Sequence, residues 1–244
     1  MFRGIYTGAS GMLAELARVN TISNNLANSV TVGYKRSQTV NRSFPEVLLY
    51  KLYNRQNPLP LGFTGTGAYI DEVVTLNIPG NYVPSENPLD IAIKNGYLVV
   101  DTPLGERFTK NGQLVINSDG YLSTVDGYTV LGTRGPIRIQ QGGSIVFSSA
   151  GEVIVDGQVI DTLRVVTPQG GDAIEKIGEN LVNFTPQPVQ PEIEQYALEL
   201  SNVNVVREMV ELISAYRAYE ANQKVVQAED GITDRLISDL GRFA

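Results

Sequence analysis

The sequence predicts an α+β fold: a central all-β domain of antiparallel hairpins, flanked by N- and C-terminal helices that pair as a coiled coil. Three observations predict it. Apolar residues recur with helical period at both ends, Gly-containing turn dipeptides punctuate the middle, and Pro-rich segments join the two regimes.

At the N-terminus, Ile5, Ala9, Met12, Leu16, Val19 and Leu26 follow alternating three- and four-residue steps, close to a heptad seam. Gly8 and Gly11 each cost a helix about 1 kcal/mol against alanine. Either the helix starts after Gly11, or a second helix packs closely over these glycines. The segment closes with SNNLANSVTVGYKR, residues 23–36, and Gly33 ends it. Asn24, Asn25 and Asn28 are suited to bond backbone groups at helix ends and side chains across subunits; the bland alternative is a solvated cap.

Residues 37–70 are rich in Asn, Pro, Gly and Tyr and predict an extended connector. From 71 to 198 the chain reads as the β domain, with a Pro-rich return connector at 183–198. Asn95-Gly96, Asn111-Gly112, Asp119-Gly120, Asp126-Gly127 and Asp156-Gly157 predict tight hairpin turns between short Val, Ile, Leu and Tyr runs. No helix-period segment alternates with these runs, which argues against a parallel α/β sheet.

The C-terminal stripe is stronger: Val205, Met209, Leu212, Tyr216, Tyr219 and Val226, resuming at Ile232, Leu236, Ile237 and Leu240. Ser201, Asn202 and Asn204 are N-cap candidates. A helix over 205–240 spans about 54 Å, against about 33 Å for 5–26, so pairing the two leaves apolar surface uncovered. Such a stripe marks a binding face, and its simplest partner is the same stripe on neighbouring copies. Head-to-tail contacts of that kind build an open filament or tube. The assembly domain is therefore 1–36 with 199–244, and its interface is expected at Ile5, Met12, Leu16, Val19, Asn24, Asn25, Leu26, Asn28, Val205, Met209, Leu212, Tyr216, Tyr219 and Val226.

Composition narrows the function classes. A net charge of -7 argues against nucleic acid, and no apolar run reaches the ~20 residues of a membrane helix. Met1–Ala17 lacks the continuous apolar run of a secretory signal. The 244 residues include no cysteine, histidine or tryptophan, which removes thiolate chemistry and the commonest general base and metal ligand. GFTGTGAY lacks the strand–helix context of a dinucleotide loop, and Asp119, Asp126 and Asp156 stand in turn dipeptides where aspartate serves the backbone. The chain is not expected to be an enzyme, and no cofactor or metal is implied.

The residues at both ends carry a family resemblance. GIYTGASGMLAELARVNTISNNLANSVTVGYKR resembles the start of the bacterial flagellar axial proteins, the rod, hook and hook-associated subunits; NNLAN followed by GYKR is its specific part. LELSNVNVVREMVELISAYRAYEANQKVVQAED is similar to the matching C-terminal end, and PLDIAIKNGYLVVDTPLGERFTKNGQLVINSDGYL resembles the β domain of rod subunits and the hook base. The resemblance implies a flagellar basal-body rod subunit whose ends pair into a coiled coil lining a central tube, with the middle facing outward. GYTVLGTRGPIRI and the short segment after FPEVLLY look most like the proximal-rod subunit adjoining the distal rod. The same resemblance implies partners among copies of the chain, neighbouring rod subunits and the type III export apparatus, with export through it and no cleaved signal. Two other readings stand beside it: a distal-rod subunit, and a surface adhesin whose β domain binds a ligand. In the adhesin reading Lys35-Arg36, Glu208, Glu211 and Glu220 are solvated faces; in the rod reading some of them pair between subunits.

Overall fold

The computed structural model describes residues 3–51, 59–139, 143–170, 174–178 and 180–242, and the chain divides into two compact units. The first comprises Met1–Leu26, Ser37–Val74 and Val205–Ala244; the second comprises Ala27–Arg36 and Thr75–Asn204.

The first unit holds both helices, α1 (Arg3–Ala27) and α2 (Val205–Arg242), so α1 does not wait for Gly11 to begin. Four strands accompany them: β1 (Ser37–Ser43), β2 (Val47–Lys51), β3 (Leu59–Thr64) and β4 (Ala68–Thr75). β1 pairs with β4 and β2 with β3, and the Phe44 N–H donates to the Gly67 carbonyl at 3.0 Å between the two ladders. These residues were expected to form a connector, and its part at 52–58 lies outside the described residues. The rest is a long two-stranded ribbon. Alternating Val47, Leu49, Leu61 and Phe63 favour strands, and a two-stranded ribbon leaves each strand a free edge that tolerates a proline. Pro60 sits opposite Tyr50 in that setting.

The second unit is all β. Its first strands are β5 (Tyr82–Pro84), β6 (Ile91–Ile93), β7 (Tyr97–Thr102), β8 (Gly105–Thr109), β9 (Leu114–Ile116), β10 (Leu122–Thr124) and β11 (Thr129–Val130). After these come β12 (Ile145–Phe147), β13 (Glu152–Val155), β14 (Gln158–Thr162), β15 (Val165–Pro168), β16 (Glu175–Ile177) and β17 (Leu181–Asn183). The last are β18 (Pro186–Pro188), β19 (Ile193–Gln195) and β20 (Ala197–Glu199). A nine-stranded sheet runs β16-β17-β8-β7-β11-β10-β9, with β15 joining β7 to β18; β12-β13-β14 form a second sheet. β7 is the centre of the unit. Leu98 and Val100 enter one core with Leu122, Val130, Ile137, Val153 and Leu163, while Tyr97 and Val99 enter another with Phe108 and Phe184. Burial on both faces explains why this strand reads as an unbroken apolar run rather than an alternation.

Three of the five turn dipeptides make hairpins as expected: Asp119-Gly120 joins β9 to β10, Asp126-Gly127 joins β10 to β11, and Asp156-Gly157 joins β13 to β14. The last has φ of 50° and 82° at its two residues, the left-handed pair of a tight primed turn. The other two are corrected. Asn95-Gly96 separates β6 from β7, which lie in different sheets, and Asn111-Gly112 stands between β8 and β9, which do not pair. A Cβ on Gly112 would lie 1.7 Å from the Ile91 carbonyl oxygen, so glycine is required there by close backbone approach.

The unit is closed by one buried carboxylate. Glu199, at the end of β20, accepts the Lys35 ammonium at 2.5 Å and the Gly80 N–H at 2.9 Å on Oε1, and the Lys110 ammonium at 3.1 Å on Oε2. The Gly33 N–H donates to the Glu199 carbonyl at 2.8 Å. The Asn202 side chain accepts from the Arg36 N–H at 2.7 Å and donates to the carbonyls of Leu76 and Ile78. Asn202, expected as a helix cap, instead ties 33–36 into the β unit. Lys35, expected on a surface or between subunits, is buried inside the chain.

Burial alone would raise the Glu199 carboxyl, but the Lys110 charge, with hydrogen bonds from Lys35 and Gly80, outweighs it and holds the group below the usual carboxylate range. Desolvation lowers Lys110 despite the attraction of Glu199. Desolvation also pushes Lys176 down to about 8; its ammonium lies 3.7 Å from the centroid of the Tyr34 ring and donates to the Lys35 carbonyl.

Two tests follow from these charges. A carboxyl depressed by folding stabilises above its unfolded value of 4.5, and that contribution is lost as pH falls through the folded value. Glu199→Gln is expected to destabilise the β unit by about 3–5 kcal/mol at neutral pH, since it strands two ammoniums, and to flatten the acid limb of its stability curve. An unchanged denaturant midpoint would refute this. Lys176 binds its proton less tightly folded than unfolded, so stability is expected to rise from pH 8 towards 10.5. Lys176→Met should reduce that rise in thermal melts recorded across this range, leaving the part due to Lys110.

Candidate functional site: the terminal helix pair

α1 and α2 lie antiparallel, as the residues facing each other show. A Cβ built on Gly4 would meet Glu229, on Gly8 would meet Val226 at 2.9 Å and the Asn222 carbonyl oxygen at 3.4 Å, and on Gly11 would meet the Asn222 amide at 2.7 Å. Further along, Val19 and Ile22 pack with Ala215, flanked by Leu212. The glycines therefore serve the close approach of the two helices, and their propensity cost is set against that packing.

The far end of this seam is polar. Asn25 is fully buried; its Nδ2 donates to the Ser37 carbonyl at 2.8 Å and its Oδ1 accepts the Ser37 N–H at 2.9 Å. The same Nδ2 lies 3.1 Å from Glu208 Oε2. The amide side chain thus holds the first residue of the ribbon as a neighbouring strand would. Glu208 stands in the first turn of α2, where a negative charge is favoured, and it is also fully buried. It is neither on a solvated face nor spent between subunits.

The ribbon reaches α1 as well. A Cβ on Gly67 would lie 2.2 Å from Ser10 Oγ, and Thr7 Oγ1 donates to the Thr66 carbonyl at 3.4 Å. Beyond these anchors, the ribbon exposes Val47, Tyr50, Leu61 and, at 69%, Phe63.

The residues expected at an assembly interface divide by burial. Val19, Asn25 and Asn28 are buried; Ile5, Met12, Leu26, Leu212, Tyr219 and Val226 are half-buried; Leu16, Asn24, Val205, Met209 and Tyr216 are exposed. The inward face of α1 is Gly8, Ala14, Val19, Ile22 and Asn25, so of the expected stripe Val19 faces fully inward and Leu16 is exposed. Gly8 and Gly11 take the close-approach alternative that the sequence raised, while Gly4, Ala14, Ile22, Ala215 and Glu208 stand in the seam outside the expected set. For Gly4 the signal was the recurrence of small residues at 4, 8 and 11, the spacing of a close helix crossing; Ile22, Ala215 and Glu208 had none so local.

α2 carries the uncovered surface. Val206 is 72% exposed, Val210 63%, Ile213 55% and Ile237 63%, with Met209, Tyr216, Val225 and Ile232 also open. With 38 residues against 25, α2 outruns α1 by about 20 Å.

Comparison with known proteins accounts for these ends and for the middle. Residues 5–35 match the model "Flagella basal body rod protein", 92–155 the "Flagellar hook protein FlgE/F/G D1 domain", and 194–239 "Flagellar basal body rod FlgEFG protein C-terminal". The chain is 30% identical over 273 aligned positions, covering all of both chains, to the flagellar hook-basal body complex protein FlhO of Bacillus subtilis. It is 33% identical to the flagellar basal-body rod protein FlgG of Caulobacter vibrioides, covering 93% of this chain and 95% of that one. It is 28% identical to the flagellar basal-body rod protein FlgF of Rhizobium meliloti over 99% of both. The chain therefore belongs to the flagellar basal-body rod protein family, structural subunits of the basal body that assemble with other rod subunits, and not a family of enzymes.

Proposed function

We propose that this chain builds the rod through α1 and α2, whose open faces pack against the same elements of neighbouring copies and of adjoining rod subunits. The observation that carries the reading is the apolar face of α2, which α1 leaves uncovered over much of its length. An apolar stripe of that extent is not stable against solvent in a monomer and finds its burial in a partner. The ribbon adds to it, since a two-stranded hairpin is marginal alone and exposes Leu61 and Phe63. Leu16, Asn24, Val205, Met209 and Tyr216 are then the intermolecular part of the expected interface. Val19, Asn25, Asn28, Ile5, Met12, Leu26, Leu212, Tyr219 and Val226 order the subunit that presents it. The assembly domain in this reading is the first compact unit, so the ribbon joins the helices and 27–36 goes to the β unit.

Within the rod, the proposed place is the proximal part next to the distal rod, reached by export through the flagellar export apparatus. Its support is the short segment between Tyr50 and Gly65 noted above.

Three outcomes test the reading. Ile213→Asp is expected to leave the soluble chain folded by circular dichroism and to abolish its incorporation into basal bodies and swimming; normal swimming sinks the interface assignment. Asn25→Ala should cost about 1–3 kcal/mol for each backbone group of Ser37 that it orphans, read as a lower melting temperature of the helix–ribbon unit. Basal bodies from cells lacking the protein should carry rods that end short of the full proximal segment and hold no distal segment. Rods with the whole proximal segment in place and only the distal segment missing would place the chain distally.

A further inference from the structure

Two buried ammoniums share one buried carboxylate in the β unit. The side chains of Lys35 and Lys110 are 3% and 5% exposed, and both pair with Glu199, leaving an excess positive charge in the interior. Lys176 adds a third ammonium nearby, bonded to the Lys35 carbonyl. An ammonium has three donors. Lys35 uses one on Glu199 and one on the Ile78 carbonyl at 2.8 Å; Lys110 uses one on Glu199 and one on the Ile93 carbonyl at 2.7 Å. Among the described residues this leaves one N–H on each.

Both lysines line a polar pocket of about 180 Å³, together with Lys94, Asn77 and Thr167. Lys94 is exposed and pairs at 3.1 Å with Glu194, itself exposed, so its charge is only loosely committed. Asn77 accepts the Tyr97 hydroxyl at 2.8 Å on its Oδ1, which leaves its amide N–H₂ as a donor. Ammoniums, an amide and a hydroxyl are the donor set of an anion site, and lysines serve as point charges that need no fixed fork geometry.

We propose that this pocket binds a small oxyanion, of the phosphate or carboxylate type, which compensates the unmatched charge of Lys35 and Lys110. A buried charge without a counter-charge is strongly destabilising, so an anion held here stabilises the folded β unit by mass action. Neither the rod assignment nor its interface enters this argument.

The test is a series of thermal melts of the full chain, titrated with inorganic phosphate or with sodium acetate while sodium chloride keeps ionic strength constant. The melting temperature of the β unit is expected to rise saturably with both, and at lower concentration for phosphate. Asn77→Asp places a carboxylate in the pocket wall and keeps the acceptor for Tyr97. It should raise the melting temperature in chloride alone and weaken the phosphate response by roughly tenfold or more. A response that follows ionic strength alone, or one that persists undiminished in Asn77→Asp, overturns the proposal. So does an Asn77→Asp chain that melts lower than the parent in chloride.

Discussion

The close approach of α2 over the glycines of α1 is the contact on which the helical part of this protein depends. Gly8 lets a backbone carbonyl of α2 come to van der Waals distance of where a side chain would begin. Isolated helices of these lengths draw most of their stability from an apolar face buried elsewhere. Here the seam is narrow because small residues form it, and it buries little of either helix's large side chains. The glycines face Asn222, Val226 and Glu229, Ala215 and Glu208 meet the other end of α1, and Val206, Val210 and Ile213 face outward. One face of α2 is spent within the subunit and another stays open.

Polar groups fix what the apolar ones leave loose. Asn25 joins the end of α1 to the base of the ribbon and reaches Glu208 at the start of α2, so one amide registers three elements. Glu199 and Asn202 do the equivalent in the β unit, tying the strand that leads to α2 to residues 33–36 and to the backbone at 76–80. Buried polar networks of this kind give a chain one arrangement rather than several, provided every member is satisfied. Within NNLAN, GYKR and SNVN, Asn25 ties α1 to β1 and α2 in the first unit, and Lys35 and Asn202 close the second.

The helices, the antiparallel β unit and three of its hairpins were legible in the sequence because each rests on local physics: a 3.6-residue period, or the positive φ that Gly supplies. The misses share a different cause. Gly96 and Gly112 looked like turn residues, yet each marks a place where distant backbone or side chains come too close for a Cβ. The strands at 37–51 and 59–75 read as a connector because Pro45 and Pro60 hid an alternation that two strands with free edges tolerate. Along α1 the stripe carries Val19 into the seam, Gly8 and Gly11 carry the close approach, and Gly4 and Ala14 extend it with small residues that an apolar count does not weigh. Lys35, Lys110 and Glu199 lie 75 to 164 positions apart, and no local pattern announces that they meet.

The claim at the centre is that α2 finds much of its burial only in other subunits. Hydrogen exchange along Val205–Arg242, compared between the soluble chain and assembled rods, tests it most directly. Amides beyond Val226 are expected to exchange readily in the soluble chain and to become strongly protected on assembly, with those near Ala215 protected in both. Equal protection along the whole helix in the two states would contradict the account.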